Sequence, residues 1–344
     1  MQSAGLPETA RALVRAGRGI LAIDESVGTC NARFAKLEID ESVEARRAYR
    51  ELLIAAPGIE ASVSGMILYD ETIRQHTAAG VPFVDALRSR GMHAGIKVDT
   101  GTKRLPFTDA ETITEGLDGL RDRLDAYRAM GATFAKWRAV FRITAGTPSP
   151  RAIRTNAHAL ARYAALCQEC GIVPIVEPEV LGEGDHDLAT SEDVTRRILA
   201  AVFDELALQG VVFEAMILKP NMVLPGSSAR PISLDEIVAA NLRVLRDTVP
   251  AAVPGIAFLS GGQDDRAATE RLNAFNALGG EPRPWVLTFS FGRAIQQPAL
   301  ERWRGRPENV AAAQEILVRR ALCNARAAEG RYDASFEQSL SAVS

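Results

Sequence analysis

Seven ionisable side chains stand within or at the ends of short apolar runs, where a packed core would not place them: Asp24, Lys97, Lys136, Arg138, Glu177, Glu179 and Lys219. Lys219 is the sharpest of these. It follows Ala215, Met216, Ile217 and Leu218 and precedes Pro220, so its stem leaves an apolar segment. Desolvation and a nearby cation such as Lys136 favour the neutral amine over the ammonium, and a neutral amine attacks ketone carbonyls to form an imine. Imine formation needs an acid and a base close to the nitrogen, which Glu177 and Glu179 can supply. Asp24 is placed to take a proton from a substrate hydroxyl. The competing role for Lys219 is a plain salt bridge to Glu177 or Glu179, and for the acids it is charge compensation of the lysines. Strand ends that simply emerge into solvent would also tolerate charge. That reading fits single residues better than Lys136, Arg138, Glu177 and Glu179, which are embedded within their runs.

Two further groups suggest anion sites. Ser260, Gly261 and Gly262, together with Ser290, Gly292 and Arg293, stand at the ends of the last two runs. Small residues let backbone N–H groups approach an anion, and Arg293 adds a forked donor. Ser26, Thr29, Arg33, Lys97 and Arg138 suggest a second site on the opposite rim. Two phosphate sites imply a small bisphosphorylated substrate.

The elements that would position these residues alternate regularly. Eight apolar runs are predicted as strands: 19–24 (GILAID), 64–70 (SGMILYD), 93–99 (HAGIKVD), 133–141 (TFAKWRAVF), 172–180 (IVPIVEPEV), 211–219 (VVFEAMILK), 255–261 (GIAFLSG) and 285–292 (WVLTFSFG). Near-continuous apolar strands separated by helical segments indicate a parallel sheet buried on both faces. Ile113, Leu117, Leu120, Leu124 and Tyr127 form one helical stripe, and Val194, Ile198, Val202 and Leu206 another. Ser233 and Glu236 read as a capping box, and about 307–330 as a terminal helical region. No G-x-G-x-x-G turn or P-loop is present. The expected architecture is therefore a (β/α)8 barrel, one domain over residues 1–344, with a short mobile tail at about 333–344. Active sites of such barrels lie at the C-terminal ends of the strands, where the residues above fall.

Composition narrows the partners. The 344 residues are 47% apolar and carry a net charge of −3, which argues against a nucleic-acid binder. No run approaches the roughly 20 apolar residues of a membrane span, and the first residues do not read as a secretory signal. Four cysteines, with Cys167 and Cys170 in one C-x-x-C on a predicted helix, read as packed thiols of a cytoplasmic protein. His76, His93, His158 and His186 show no ligand spacing, and no metal or other cofactor is expected.

Eight segments, in order, also resemble the class I fructose-bisphosphate aldolases: ILAIDES at 20–26, GIKVDTG at 95–101, TEGLDGL at 114–120, FAKWR at 134–138, IVPIVEPE at 172–179, LKPNMV at 218–223, FLSGGQ at 258–263 and LTFSFGRA at 287–294. The resemblance implies reversible cleavage of fructose 1,6-bisphosphate to dihydroxyacetone phosphate and glyceraldehyde 3-phosphate, in glycolysis and gluconeogenesis, by a homotetramer. It implies Lys219 as the imine-forming lysine, Glu177 as general acid/base with Glu179 its companion, Asp24 as the acid acting at the C4 hydroxyl and Lys136 as a pocket lysine. It also implies Ser260, Gly261, Ser290, Gly292 and Arg293 as the C1-phosphate cradle, Arg33 and Arg138 as phosphate contacts, and Lys97 as a further cation. Animal members end in a tyrosine that assists proton exchange at C3, whereas the last residue here is Ser344 and the nearest tyrosine is Tyr332. That exchange is then either slower or handled by Glu177, Glu179 or a phosphate oxygen. A catalytically silent scaffold and another imine-forming barrel such as transaldolase are the alternatives; the latter would not need two phosphate sites.

Overall fold

The apolar runs become strands because each is covered on both faces. In the computed structural model, which describes residues 5–277 and 283–337, they are β1 (Gly19–Ala22), β2 (Val63–Leu68), β3 (His93–Lys97), β6 (Phe134–Phe141), β7 (Val173–Val180), β8 (Ile217–Leu218), β9 (Gly255–Phe258) and β10 (Val286–Phe291). A separate antiparallel pair, β4 (Thr102–Arg104) and β5 (Thr112–Thr114), is inserted after β3. The eight long-range strands pair in parallel in the order β1-β10-β9-β8-β7-β6-β3-β2 and close on themselves. The expected (β/α)8 barrel is the observed one.

Side chains alternate across each strand, so every second residue faces the barrel axis. Ile20, Ala22, Ile67, Phe134, Val173, Ile175, Ala215, Ile217 and Ala257 fill the interior as one apolar cluster. Helix Leu6–Leu13 lays Leu6, Ala10 and Leu13 against that cluster and closes the N-terminal end of the barrel. Phe134 claims the space that two neighbouring strands leave free. A Cβ on Gly95 would lie 2.2 Å from its ring and one on Gly65 3.0 Å, so both positions are held to glycine by close approach. The larger cluster lies between the strands and the outer helices. Val194, Ile198, Val202 and Leu206 are buried along helix Leu188–Leu208, and Ser233 and Glu236 make both bonds of the capping box on helix Leu234–Thr248.

Two expectations are corrected. Only Ile217 and Leu218 of the run 211–219 join the ladder, because Phe213–Ala215 turn as a 3-10 helix. The stripe beginning at Ile113 is not one helix: Ile113 lies in β5, and the helix is Leu120–Ala129. Gly116 (φ 127°) and Gly119 (φ 64°) adopt backbone conformations that break an α-helix between them. The terminal region is a 3-10 turn, Pro307–Asn309, followed by helix Val310–Ala328. Of the expected tail, residues 338–344 lie outside the described residues. Glu337 accepts from Tyr332 Oη (2.7 Å) and Arg320 (2.5 Å), which places Tyr332 among the outer helices.

Candidate active site at the C-terminal mouth of the barrel

One step beyond the apolar interior layer, the inward positions change character. Ala22 is followed by Asp24, Gly95 by Lys97, Phe134 by Lys136 and Arg138, Ile175 by Glu177 and Glu179, and Ile217 by Lys219. The strand period that packs the core thus delivers charge to a single open cavity of 1070 Å³. Its wall includes Asp24, Ser26, Thr29, Arg33, Lys97, Lys136, Arg138, Glu177, Glu179, Lys219, Ser260, Gly261, Ser290, Gly292 and Arg293. Gly262 stands just behind the wall, where a Cβ would lie 3.5 Å from Arg293 Nη2.

At the centre are two lysines and two carboxylates. Lys136 Nζ lies 2.7 Å from Asp24 Oδ2 and 3.3 Å from Glu177 Oε2, and Lys219 Nζ lies 3.2 Å from Glu177 Oε1. Glu177 therefore spans both ammonium groups. Burial alone would raise the Asp24 pKa, but Lys136 and then Lys219 outweigh it and hold the carboxyl at about 2. Glu177 is likewise held below the usual carboxylate range: burial pushes it up, and Lys136, Lys219 and Arg138 pull it down further. For Lys136, burial favours the neutral form, yet Asp24, Glu177 and Asp99 together keep it charged well beyond an ordinary lysine. It is a fixed cation. Glu177 Oε2 is buried, with its ion pair to Lys136 but no aligned hydrogen bond, so it keeps lone-pair capacity.

The rims are cationic and internally paired. Arg138 Nε donates to Glu179 Oε2 at 2.5 Å, so the companion carboxylate serves Arg138 and not Lys136. Burial opposes the Arg138 charge, but Glu179 and Glu177 more than restore it. Lys97 Nζ lies 2.6 Å from Asp99 Oδ1; Asp99 also accepts from the backbone of Gly101 and Arg138, which fixes the β3 loop. On the first rim Ser26 caps helix Val27–Ala35, with its Oγ accepting from Thr29 N (3.3 Å). Arg33 donates to Glu25 (2.5 Å), Gln296 (3.1 Å) and Gln297 (3.0 Å). On the opposite rim, Gly261 and Gly262 have φ of 57° and 78°, a left-handed pair that turns the chain after β9. Gly292 caps helix Arg293–Trp303 with no side-chain cap bond, and both Gly292 and Arg293 stand on the cavity wall. Ser290 Oγ is buried beside the cavity and makes no hydrogen bond, a donor available to an anion.

All the sequence-selected residues thus converge on this mouth, Gly262 at its edge. Sequence reasoning gave no role to Glu25, which Arg33 and Arg50 hold from two sides (2.5 and 2.9 Å), nor to Asp99 as an anchor, nor to Gln296. Glu25 was visible as the neighbour of Asp24; Arg50 and Gln296 lie in ordinary helical sequence and left no signal. Among the described residues no group of three or more His, Cys, Asp or Glu side chains is arranged to hold a metal ion.

Comparisons with known proteins agree with one another. The family model for fructose-bisphosphate aldolase class-I matches residues 5–344. A probable fructose-bisphosphate aldolase class 1 of Xylella fastidiosa is 50% identical over 329 residues, 95% of this chain and 98% of that protein. The cytosolic fructose-bisphosphate aldolase 6 of Arabidopsis thaliana is 50% identical over 316 residues, 92% of this chain and 88% of that protein. Among solved structures, the fructose-bisphosphate aldolase of Plasmodium falciparum superposes with a TM-score of 0.94 at 44% identity, covering 96% of each chain.

Proposed function

Because the chain belongs to the class I fructose-bisphosphate aldolase family and is an enzyme of that type, a lyase, we propose that it cleaves fructose 1,6-bisphosphate reversibly through an imine on Lys219. The observation that carries this reading is the Lys219–Glu177 contact of 3.2 Å, buried beneath a mouth with cationic rims on both sides.

The contact supplies a proton route. Transfer of one proton from Lys219 Nζ to Glu177 leaves an amine and a carboxylic acid, with the charge of Lys136 still in place. The amine attacks C2 of the open-chain ketose, and the resulting carbinolamine hydroxyl takes the proton back from Glu177 and leaves as water. The protonated imine then draws electrons from the C3–C4 bond as Asp24, ionised at neutral pH, receives the C4 hydroxyl proton. The fragment carrying C4 to C6 departs as glyceraldehyde 3-phosphate. The other half remains as an enamine; Asp24 passes its proton to solvent, C3 takes up a proton from solvent by way of Glu177, Glu179 or a phosphate oxygen, and water hydrolyses the resulting iminium to dihydroxyacetone phosphate and free Lys219. Lys136 stabilises the anions on either side of it throughout. Ser260, Gly261, Gly262, Ser290, Gly292 and Arg293 hold the C1 phosphate; Ser26, Thr29, Arg33, Lys97 and Arg138 form the C6 side.

The same reading includes a place in glycolysis and gluconeogenesis, a homotetramer and a cytoplasmic location, in keeping with the cytosolic Arabidopsis relative. Incubation with dihydroxyacetone phosphate and borohydride should add a stable mass to Lys219, and Lys219→Met should take up none. Loss of activity on chelation, with no adduct, would replace this mechanism by a metal-dependent one.

A further inference from the structure

Gln296 is fully buried and takes no part in the cavity wall, yet its amide touches three elements of the site. Its Nε2 donates to the carbonyl of Ala22, two residues before Asp24. Its Oε1 accepts from Tyr49 Oη at 2.8 Å and from Arg33 Nη1 at 3.1 Å. Its own backbone N–H returns to Gly292 at the start of helix Arg293–Trp303. Tyr49 is fixed in turn by stacking on Trp303 of that helix, with ring centroids 5.5 Å apart and planes 19° apart. One neutral side chain therefore links the helix that opens on the C1-phosphate cradle to the end of β1, which leads into Asp24, and to the arginine of the opposite rim.

A guanidinium is a rigid planar fork, so its aim depends on the acceptors that fix its plane. Glu25 balances the Arg33 charge but is itself shared with Arg50. A buried, triply bonded amide is the more rigid acceptor. We propose that Gln296 is a positioning residue that aims Arg33 at the C6 phosphate and thereby sets the preference for a 1,6-bisphosphate over a 1-phosphate. This rests on the function proposed above, in which Arg33 belongs to the C6 side.

The test compares fructose 1,6-bisphosphate with fructose 1-phosphate, which lacks the group Arg33 would meet. Gln296→Met keeps the length and removes the polar atoms. It should raise KM for the bisphosphate about tenfold, the factor expected for a hydrogen bond to a charged group, with kcat and fructose 1-phosphate kinetics little changed. Gln296→Glu keeps the acceptor for Tyr49 and Arg33 and should recover much of the bisphosphate KM. Tyr49→Phe, a milder change should Gln296→Met not fold, should act in the same substrate-selective direction. Equal losses on both substrates, or no change on either, would overturn the proposal. Arg33→Ala separates the two levels of the argument. If it leaves the bisphosphate KM unchanged, the placing of Arg33 falls and this inference with it. If it raises KM while Gln296→Met does not, the positioning role alone falls.

Discussion

Replacing Lys136 by Met should give the protein's stability a dependence on pH near neutrality that this cluster does not give the wild type. The central cluster holds two cations, Lys136 and Lys219, and two carboxylates, Asp24 and Glu177, and is electrically balanced. In the wild type the folded Asp24 carboxyl is held at about 2 against an ordinary 3.8. Its stabilising contribution is therefore complete above pH 4 and is lost only as the pH falls through about 2, so this group adds no slope near neutrality. Lys136→Met leaves the cluster with one excess negative charge, buried. Removing one partner of a buried pair costs on the order of 3–5 kcal/mol near neutral pH. Burial now dominates, and the folded cluster regains balance by binding one proton that the unfolded chain does not bind. The native state then holds more protons than the unfolded one, and the variant gains about 1.4 kcal/mol of stability for each pH unit of acidification. Equilibrium urea unfolding of both proteins at several pH values between about 7.5 and 5.5 should show the gap between them narrowing by about 2–3 kcal/mol. Lys136→Arg, which keeps the charge, should show no such convergence. A gap that stays constant or widens on acidification would refute the claim that Lys136 neutralises these two carboxylates.

Glu177→Gln should slow borohydride-trapped labelling of Lys219 by about 10²–10⁴-fold, as expected for loss of a general acid/base, while the final site of labelling stays at Lys219; unchanged trapping kinetics would remove Glu177 from the proton route. Gly292→Ala puts a Cβ 3.3 Å from the Ala22 carbonyl at the head of the phosphate-facing helix, so KM for both fructose 1,6-bisphosphate and fructose 1-phosphate should rise in steady-state assays. Gly95→Ala drives a methyl to 2.2 Å from the Phe134 ring and should cost about 1–3 kcal/mol by overpacking, seen as a lower thermal midpoint with kcat of the folded fraction preserved.

Much of this site was legible in the sequence because strand parity does two jobs with one rule. The alternation that buries Phe134 and Ile175 necessarily turns Lys136 and Glu177 to the same interior, so finding the strands found the site. What could not be read was which charge meets which. Spacing along β6 and β7 allowed either glutamate to pair with Lys136; the ladder sets Arg138 opposite Glu177, and Glu179 reaches Arg138. The helical stripe from Ile113 failed because apolar spacing is blind to Gly116 and Gly119, whose backbone conformations interrupt it. Gln296 and Arg50 were invisible for a different reason. Polar residues at helical positions look solvated until tertiary packing buries them.

Helix Leu6–Leu13 floors the barrel, and the cavity of the described residues opens at the opposite mouth. On the imine route this imposes a queue. The aldehyde fragment, bound to nothing covalently, leaves through the same opening that admitted the sugar, while its partner stays tethered at position 219. Water that hydrolyses the tether can enter along the path just vacated, so departure of the first product clears the way for release of the second.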